Sequence, residues 1–277
     1  MRVSARVGAR WLSLMLLVPS NAGAQNATGE KTFLRASDME WAGAFALGAY
    51  AISRFDPTIT KYFQQPAKQR VVALHKTADV FNRVQETTLT IGGILTYGIA
   101  RLAGARNVEV TALHATEAIA AASLTSQVIR GPLGRARPKD ATPMFEDQYE
   151  FHWFNGFRNF EYRAFPSIHA SSAFAAATVV VIETHRRSPA STWYVAPLAY
   201  TLSAAPGYSR LYLAQHWASD IFMGAFIGVF YGARVADYAR AHPDNRVDRF
   251  FLGPRLASGV TVTPEPHGIA ISFARPF

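Results

Sequence analysis

The apolar stretches of this chain are of helical length, and charges or prolines interrupt each of them early. A membrane-spanning helix needs about 18 to 20 consecutive apolar residues, which none of these stretches supplies comfortably. They cover residues 41–53, 87–100, 118–129, 170–182 and 221–233, and a further stretch at 193–208 contains two prolines. The mean hydropathy is only +0.04. This pattern predicts buried helices of a compact bundle, with no repeated crossing of a membrane.

The N-terminus has the pattern of a secretory signal. Three arginines (Arg2, Arg6 and Arg10) precede a short apolar stretch, and the small residues of Ala22-Gly23-Ala24 follow it. We therefore predict a signal peptide over residues 1–24. The mature protein is then expected to be exported to the periplasm, either soluble or peripheral to the membrane, with an integral membrane protein as the alternative.

Charge and cysteine content narrow the function classes. The formal net charge is +9, and loss of the three arginines in the predicted signal lowers it to +6. Such a basic excess suits nucleic acid, anionic lipid or a phosphorylated substrate. No Lys/Arg run of the nucleic-acid-binding type occurs, so we predict no nucleic-acid partner. The chain has no cysteine, which excludes both disulfides and thiolate catalysis.

The predicted fold class is all-α, with a short β-hairpin at the C-terminus. One helical domain is expected at residues 25–253 and a hairpin tail at 254–277, where apolar and polar residues alternate on either side of Pro264 to Gly268. Predicted helices cover residues 38–54, 66–82, 84–104, 108–130, 167–187, 192–205 and 214–240. Gly131-Pro132 and Pro206-Gly207 are expected to end two of them.

A long irregular segment, residues 131–165, separates the two halves of the predicted bundle and is rich in aromatic residues. A loop of this length in a compact domain usually has a function, such as covering a site. An aromatic-packed cover without further function is the simpler interpretation, and the two are compatible.

Three clusters of chemically active residues lie near predicted helix ends. Taken alone, each fits an ordinary surface pair or helix start. Together they supply the parts of one reaction centre. The clusters are Arg130 with Arg137-Pro138, then Pro166-Ser167-Ile168-His169, then Ser209-Arg210 with His216 and Asp220.

Phosphoryl transfer needs fixed donors around negatively charged equatorial oxygens. Arg130, Arg137 and Arg210 each carry a planar guanidinium that suits phosphate. A helix that starts at Ser167 adds free backbone N–H groups and a hydroxyl donor.

The same clusters supply catalytic groups. His216 and Asp220 share one helix face at a spacing of four residues, so the carboxylate can orient a nucleophilic imidazole. His169 can protonate the departing oxygen. This chemistry requires no metal and no cofactor.

The three clusters closely resemble the three-part signature of the PAP2 superfamily, which includes bacterial acid phosphatases, lipid phosphate phosphatases and vanadium-dependent haloperoxidases. The resemblance covers roughly residues 85–240 and implies a helical bundle with the site at one end. It implies that His216 forms a phosphohistidine, that Asp220 orients it and that His169 is the general acid. The phosphate-binding residues implied are Arg130, Arg137, Ser167, Arg210 and the amide of Ile168.

Two positions depart from the family pattern. Arg130 stands where the family usually has Lys, which keeps the charge. Ile168 stands where the family usually has Gly, which keeps the amide but adds a β-branched side chain that narrows the pocket and restricts φ.

The resemblance implies a metal-independent phosphoric monoester hydrolase that acts on lipid phosphates or small phosphomonoesters. A vanadium-dependent haloperoxidase and a non-catalytic module that binds phosphate or lipid headgroups remain alternatives. The expected partner is a phosphorylated small molecule or lipid, association with a membrane surface is one option, and the oligomeric state stays open.

Overall fold

The computed structural model describes residues 33–253, 259–265 and 268–274, and the predicted signal peptide at residues 1–24 lies outside these ranges. The α-helices are α1 Ala36–Ser53, α2 Asp56–Phe63, α3 Pro66–Gln69, α4 Val72–Asn82, α5 Glu86–Leu102, α6 Arg106–Leu133, α7 Ile168–Arg187, α8 Thr192–Tyr212, α9 Ala218–Ala241 and α10 Arg246–Leu252. Short 3-10 turns occupy Asn155–Phe157, Phe160–Tyr162 and Pro189–Ser191. The all-α prediction is confirmed.

Helix α7 forms the centre of the bundle. It packs against α6 on one side, against α9 and α8 on the others, and more lightly against α5. Most of its first twelve residues are buried. Hydroxyl groups also pair across the α6–α7 contact, with Ser123 Oγ lying 3.1 Å from Ser172 Oγ and Ser126 Oγ 2.9 Å from Ser171 Oγ. The N-terminal end of α7 is therefore held firmly between neighbouring helices.

Glycines at every fourth position let α9 approach α7 closely. A Cβ atom at Gly224 would lie 2.3 Å from the carbonyl oxygen of Ser167, and one at Gly228 would lie 2.4 Å from that of Ser171. Gly232 continues the same face against Thr178. Any side chain at these positions would push the helices apart, so the glycines fix the separation between the start of α7 and the start of α9.

Two helices extend beyond the ends that the sequence predicts. Gly131-Pro132 does not stop α6, which ends at Leu133, where Gly134 takes a left-handed conformation with φ +60° and donates its N–H to the Arg130 carbonyl. Pro132 lies in the last turn of α6, where its missing N–H removes one intrahelical hydrogen bond.

Pro206-Gly207 likewise does not end α8, which continues to Tyr212. An internal proline costs a hydrogen bond, but tertiary contacts hold this helix together. Ser209 Oγ donates to the Ala78 carbonyl of α4 at 2.6 Å, and Gly207 leaves room for Ile221 of α9.

The segment predicted as one helix at 66–82 is broken at residues 70–71 into α3 and α4. The short helices α2 and α10 were not predicted, and α9 begins at Ala218, four residues later than expected. In α2, Asp56 is fully buried, and its partners lie far along the chain.

The C-terminal strands β1 Gly259–Glu265 and β2 Gly268–Ala274 pair antiparallel, with Gly259 opposite Ala274 and Glu265 opposite Gly268. The hairpin prediction is thus confirmed, whereas the division into a domain at 25–253 and a tail at 254–277 stays a prediction.

Helix α9 is the one helix of the described ranges with the length and apolar composition of a membrane span. Much of its surface is buried inside the bundle, and the core helix of a soluble protein meets the same criteria. Its composition alone therefore does not assign it to a membrane.

Candidate active site

The structure brings the three sequence clusters together at one end of the bundle. The imidazole centroids of His169 and His216 lie 6.3 Å apart, and the Ser167 N–H donates to the Asp220 carbonyl at 3.0 Å. Gln215 joins two of the arginines, because its Oε1 accepts from Arg137 and, at 3.3 Å, from Arg210 Nη2. No motif in the sequence indicates this role for Gln215, although it directly precedes His216.

The His216 imidazole is buried and held in one tautomer. Its Nδ1 lies 2.7 Å from the carbonyl oxygen of Ala164. A carbonyl can only accept, so Nδ1 carries the hydrogen and Nε2 keeps the lone pair that a nucleophile needs. The Asp220 carboxylate, predicted to orient this ring, lies farther away, with Oδ2 3.5 Å from Nδ1. The Ala164 carbonyl therefore makes the closer contact, and Asp220 adds negative charge behind it.

Asp220 has two tasks at the start of α9. Its Oδ2 accepts the backbone N–H of Trp217 at 2.7 Å, which caps the helix. Its Oδ1 accepts from Arg135 Nη1 at 2.5 Å. The hydrogen bonds and the ion pair together hold the carboxylate beside the His216 ring.

Arg135 is an unpredicted member of the site. It lies between Arg130 and Arg137 in sequence, and its guanidinium pairs with two buried carboxylates. Its Nη2 donates to Asp56 Oδ2 at 2.9 Å, while Asp56 Oδ1 also accepts the Ser219 N–H at 2.9 Å. Burial raises the pKa of Asp56 and Asp220, and the Arg135 charge opposes that rise. The network ties α2 to the Asp220 carboxylate.

The three predicted phosphate-binding arginines are all buried. Arg130 Nε donates to Gln127 Oε1 at 2.7 Å, and Arg210 Nη1 donates to Asn82. Burial and repulsion from neighbouring arginines lower the pKa of Arg130 and Arg137 to about 10 and that of Arg210 to about 9. Such a concentration of positive charge is unfavourable by itself and is relieved when an anion binds.

Unpaired donors converge on the same place. Among the described residues, few buried side-chain polar atoms lack a hydrogen-bond partner, and those of the site are Arg137 Nε, Arg210 Nε, His169 Nδ1 and Ser167 Oγ. Buried polar groups are normally paired, so a cluster of unpaired ones marks a binding site. The arrangement can bind a tetrahedral oxyanion.

The start of α7 clarifies the roles of Ser167 and Ile168. Ser167 is the N-cap residue, yet its hydroxyl makes no capping bond and stays available to a ligand. Ile168 is the first helical residue and does not have a positive φ. A β-branched residue is therefore accommodated without backbone strain in place of the family glycine. Its side chain is buried, and the narrowing of the pocket by this side chain stays a prediction.

Both histidines are neutral in the free site. Burial, followed by the charge of Arg210, lowers the pKa of His169 to about 2 and places the pKa of His216 well below its usual value. A neutral His216 is ready to act as a nucleophile. His169 must gain a proton before it can act as an acid, and a bound phosphate would favour that gain by adding negative charge.

We therefore expect the His169 imidazole to take up a proton when phosphate binds. At about pH 6, wild-type protein should absorb roughly one more proton per bound phosphate than the His169→Gln variant. Calorimetric titrations in buffers of different ionisation enthalpy measure this number, and the variant corrects for ionisation of phosphate itself. Equal proton uptake in the two proteins would contradict the role of His169.

The described ranges contain no group of three or more His, Cys, Asp or Glu side chains that could hold a metal ion. The arginines of the site and the N-terminal amides of α7 supply a positive field.

The PAP2 superfamily profile matches residues 111–242. This range contains all eight residues that the sequence predicts for the site. Residues 111–242 belong to the PAP2 superfamily. Asp56 lies outside the range that the profile matches. It is linked to Asp220, inside that range, because the Arg135 guanidinium forms ion pairs with both carboxylates.

One characterised relative is the lipid A 1-phosphatase of Porphyromonas gingivalis, which is 41% identical over 69 residues. The match covers 25% of this chain and only 15% of the relative's length. No solved structure matches the chain significantly.

Proposed function

We propose that this protein is a metal-independent phosphatase that hydrolyses phosphate monoesters, preferentially of lipids, through a phosphohistidine at His216. The observation that carries this proposal is the convergence of three buried arginines and an unpaired serine hydroxyl beside two neutral imidazoles. Membership of residues 111–242 in the PAP2 superfamily supports the reaction class.

In the first step, His216 Nε2 attacks phosphorus and the ester P–O bond breaks. His169 gives its proton to the departing alkoxide oxygen, so the alcohol leaves neutral. The ring of His216 then carries phosphate on Nε2 and hydrogen on Nδ1. The Ala164 carbonyl and the Asp220 carboxylate stabilise the positive charge of that ring.

In the second step, water attacks phosphorus and gives a proton to His169. The N–P bond breaks, and His216 regains its lone pair as inorganic phosphate forms. In both steps, Arg130, Arg137 and Arg210 bind the equatorial oxygens of the phosphoryl group. These oxygens carry most of the negative charge in the transition state.

Lipid is the favoured substrate class for two reasons. The similar Porphyromonas protein is named for a lipid phosphate. Large apolar side chains are also exposed in rows along the helices, which is typical of a surface that contacts lipid. On α5 they are Ile91, Ile94, Leu95, Ile99 and Leu102, and on α8 they are Trp193, Tyr194, Leu198 and Leu202. We therefore place the exported protein at a membrane.

A substrate panel tests this function. Purified protein in detergent micelles should release phosphate from phosphatidate faster than from nitrophenyl phosphate, with prenyl pyrophosphate as a third substrate. Vanadate should inhibit competitively, because it mimics the pentacoordinate transition state. EDTA should leave the rate unchanged. No release from any ester would contradict the reaction class, and loss in EDTA restored by zinc or magnesium would contradict the metal-independent mechanism.

A further inference from the structure

Two exposed phenylalanines lie directly beside the phosphate-binding arginines. The Phe160 ring centroid is 3.8 Å from Cζ of Arg137, and 61% of this residue is exposed. The ring covers one face of the guanidinium in a cation–π contact. The Nε atom of this guanidinium is buried and has no hydrogen-bond partner, so it can still donate to a ligand.

Phe157 lies against the end of α6, next to Arg130. A Cβ atom at Gly131 would come within 2.4 Å of Cε1 of Phe157, so only glycine lets the ring lie there. The residue is nonetheless 59% exposed. The Phe160 ring therefore lies on an arginine of the site and the Phe157 ring lies on the backbone next to Arg130, while more than half of each residue is exposed to solvent.

The backbone around these rings is fixed in place. A Cβ atom at Gly156 would lie 2.2 Å from the Arg130 carbonyl oxygen, so the two backbones touch. Arg163 Nε donates to the Gly156 carbonyl at 2.6 Å, and its Nη2 donates to the Phe157 carbonyl at 3.0 Å. The two phenylalanines are thus presented at defined positions beside the phosphate site.

We propose that Phe157 and Phe160, here called the apolar rim, bind the hydrocarbon chain of the phosphate ester next to its phosphate group. This inference rests on the proposed function, since it assigns the part of that site which selects a lipid over a small ester. Exposed phenyl rings stay in contact with water when only a small ester is bound. A hydrocarbon chain that covers them gains the free energy of apolar burial, while the arginines bind the phosphate.

Alkylphosphonates test the rim without requiring turnover, because their C–P bond is not an ester. Calorimetry on the full chain compares octylphosphonate with methylphosphonate. We expect wild-type protein to bind the octyl compound about tenfold or more tightly. Phe157→Ser and Phe160→Ser should each reduce this preference severalfold. An unchanged affinity of the Phe157→Ser variant for methylphosphonate would show that its arginine cluster is intact.

Phe154→Asn is the matched control. Phe154 belongs to the same segment, is 65% exposed and has φ +64°, a conformation that asparagine tolerates well. It should keep the wild-type chain-length preference.

The proposal is overturned if both rim variants keep that preference, or if Phe154→Asn loses it equally. Equal binding of the two phosphonates by wild-type protein would also overturn it, with the phosphate site unaffected. Failure to bind either phosphonate would contradict the phosphate site itself, and with it the proposed function.

Discussion

Replacing His216 with alanine should lower kcat for any phosphate monoester by about 10⁴-fold or more, because no other group can form the covalent intermediate. The ring is fixed by the Ala164 carbonyl with Nε2 free, and the site contains no second imidazole in that state. His169 cannot replace it, since its Nδ1 has no hydrogen-bond partner that would fix its orientation.

His114→Ala is the matched control, since His114 is also a buried histidine. It lies 16 residues before Arg130 on α6, about 24 Å away along the helix. Its removal should change stability but leave kcat within about twofold of wild type. If His216→Ala retains more than a few per cent of the wild-type kcat while remaining folded in a thermal melt, the nucleophile has been assigned wrongly.

Replacing Arg135 with methionine should destabilise the fold by about 3 to 5 kcal/mol, because it leaves two buried carboxylates without their cation. Asp56 and Asp220 are both fully buried and both contact this guanidinium. For a protein of this size, the loss corresponds to a fall in Tm of about 6 to 20 °C.

The effect of Arg135→Met should depend on pH in a defined direction. Burial already raises the pKa of Asp56 and Asp220, and loss of Arg135 would raise both further. A carboxyl whose pKa is raised on folding favours the folded state at low pH and loses that contribution as pH rises. The deficit should therefore be largest near neutral pH and shrink as pH approaches about 4.

Arg186→Met provides the comparison for this prediction. Arg186 forms ion pairs with Glu183 and Asp237, and the second of these is exposed. The Arg186→Met substitution should lower the free energy of unfolding by no more than about 1 kcal/mol. Equal Tm shifts in the two variants, or no pH dependence in Arg135→Met, would contradict the view that Arg135 neutralises a buried pair.

The sequence predicted which residues lie together at the site better than it predicted their supporting contacts. Arg130, Ser167, His169 and His216 stand out in the sequence because their residue types and spacing form one joint pattern. The structure adds Asp56 and the Ala164 carbonyl. Asp56 lies in a short helix far away along the chain, and a backbone carbonyl has no signature in sequence. Contacts of this kind exist only once the chain has folded.

The positions of helix ends also depend on contacts that the sequence alone does not reveal. Local propensity predicts that Pro132 and Pro206 end their helices, but both lie inside helices. Tertiary packing determines that α8 continues past Pro206, because Gly207 packs against α9 and Ser209 donates a hydrogen bond to α4. By contrast, the glycine spacing of α9 was visible in the sequence, but its meaning depended on knowing that α7 lies against that face.

Trapping the phosphoenzyme tests the central claim most directly. His169→Gln protein should be incubated with nitrophenyl phosphate, whose leaving group departs without an acid, so that the second step is slowed and the intermediate accumulates. An alkaline quench preserves N–P bonds, and peptide mapping locates the label. The account predicts phosphate on the His216 imidazole, absent when vanadate is present and absent from the His169→Gln/His216→Ala double variant. Label on Ser167 or any other residue, or label that persists without His216, would contradict it.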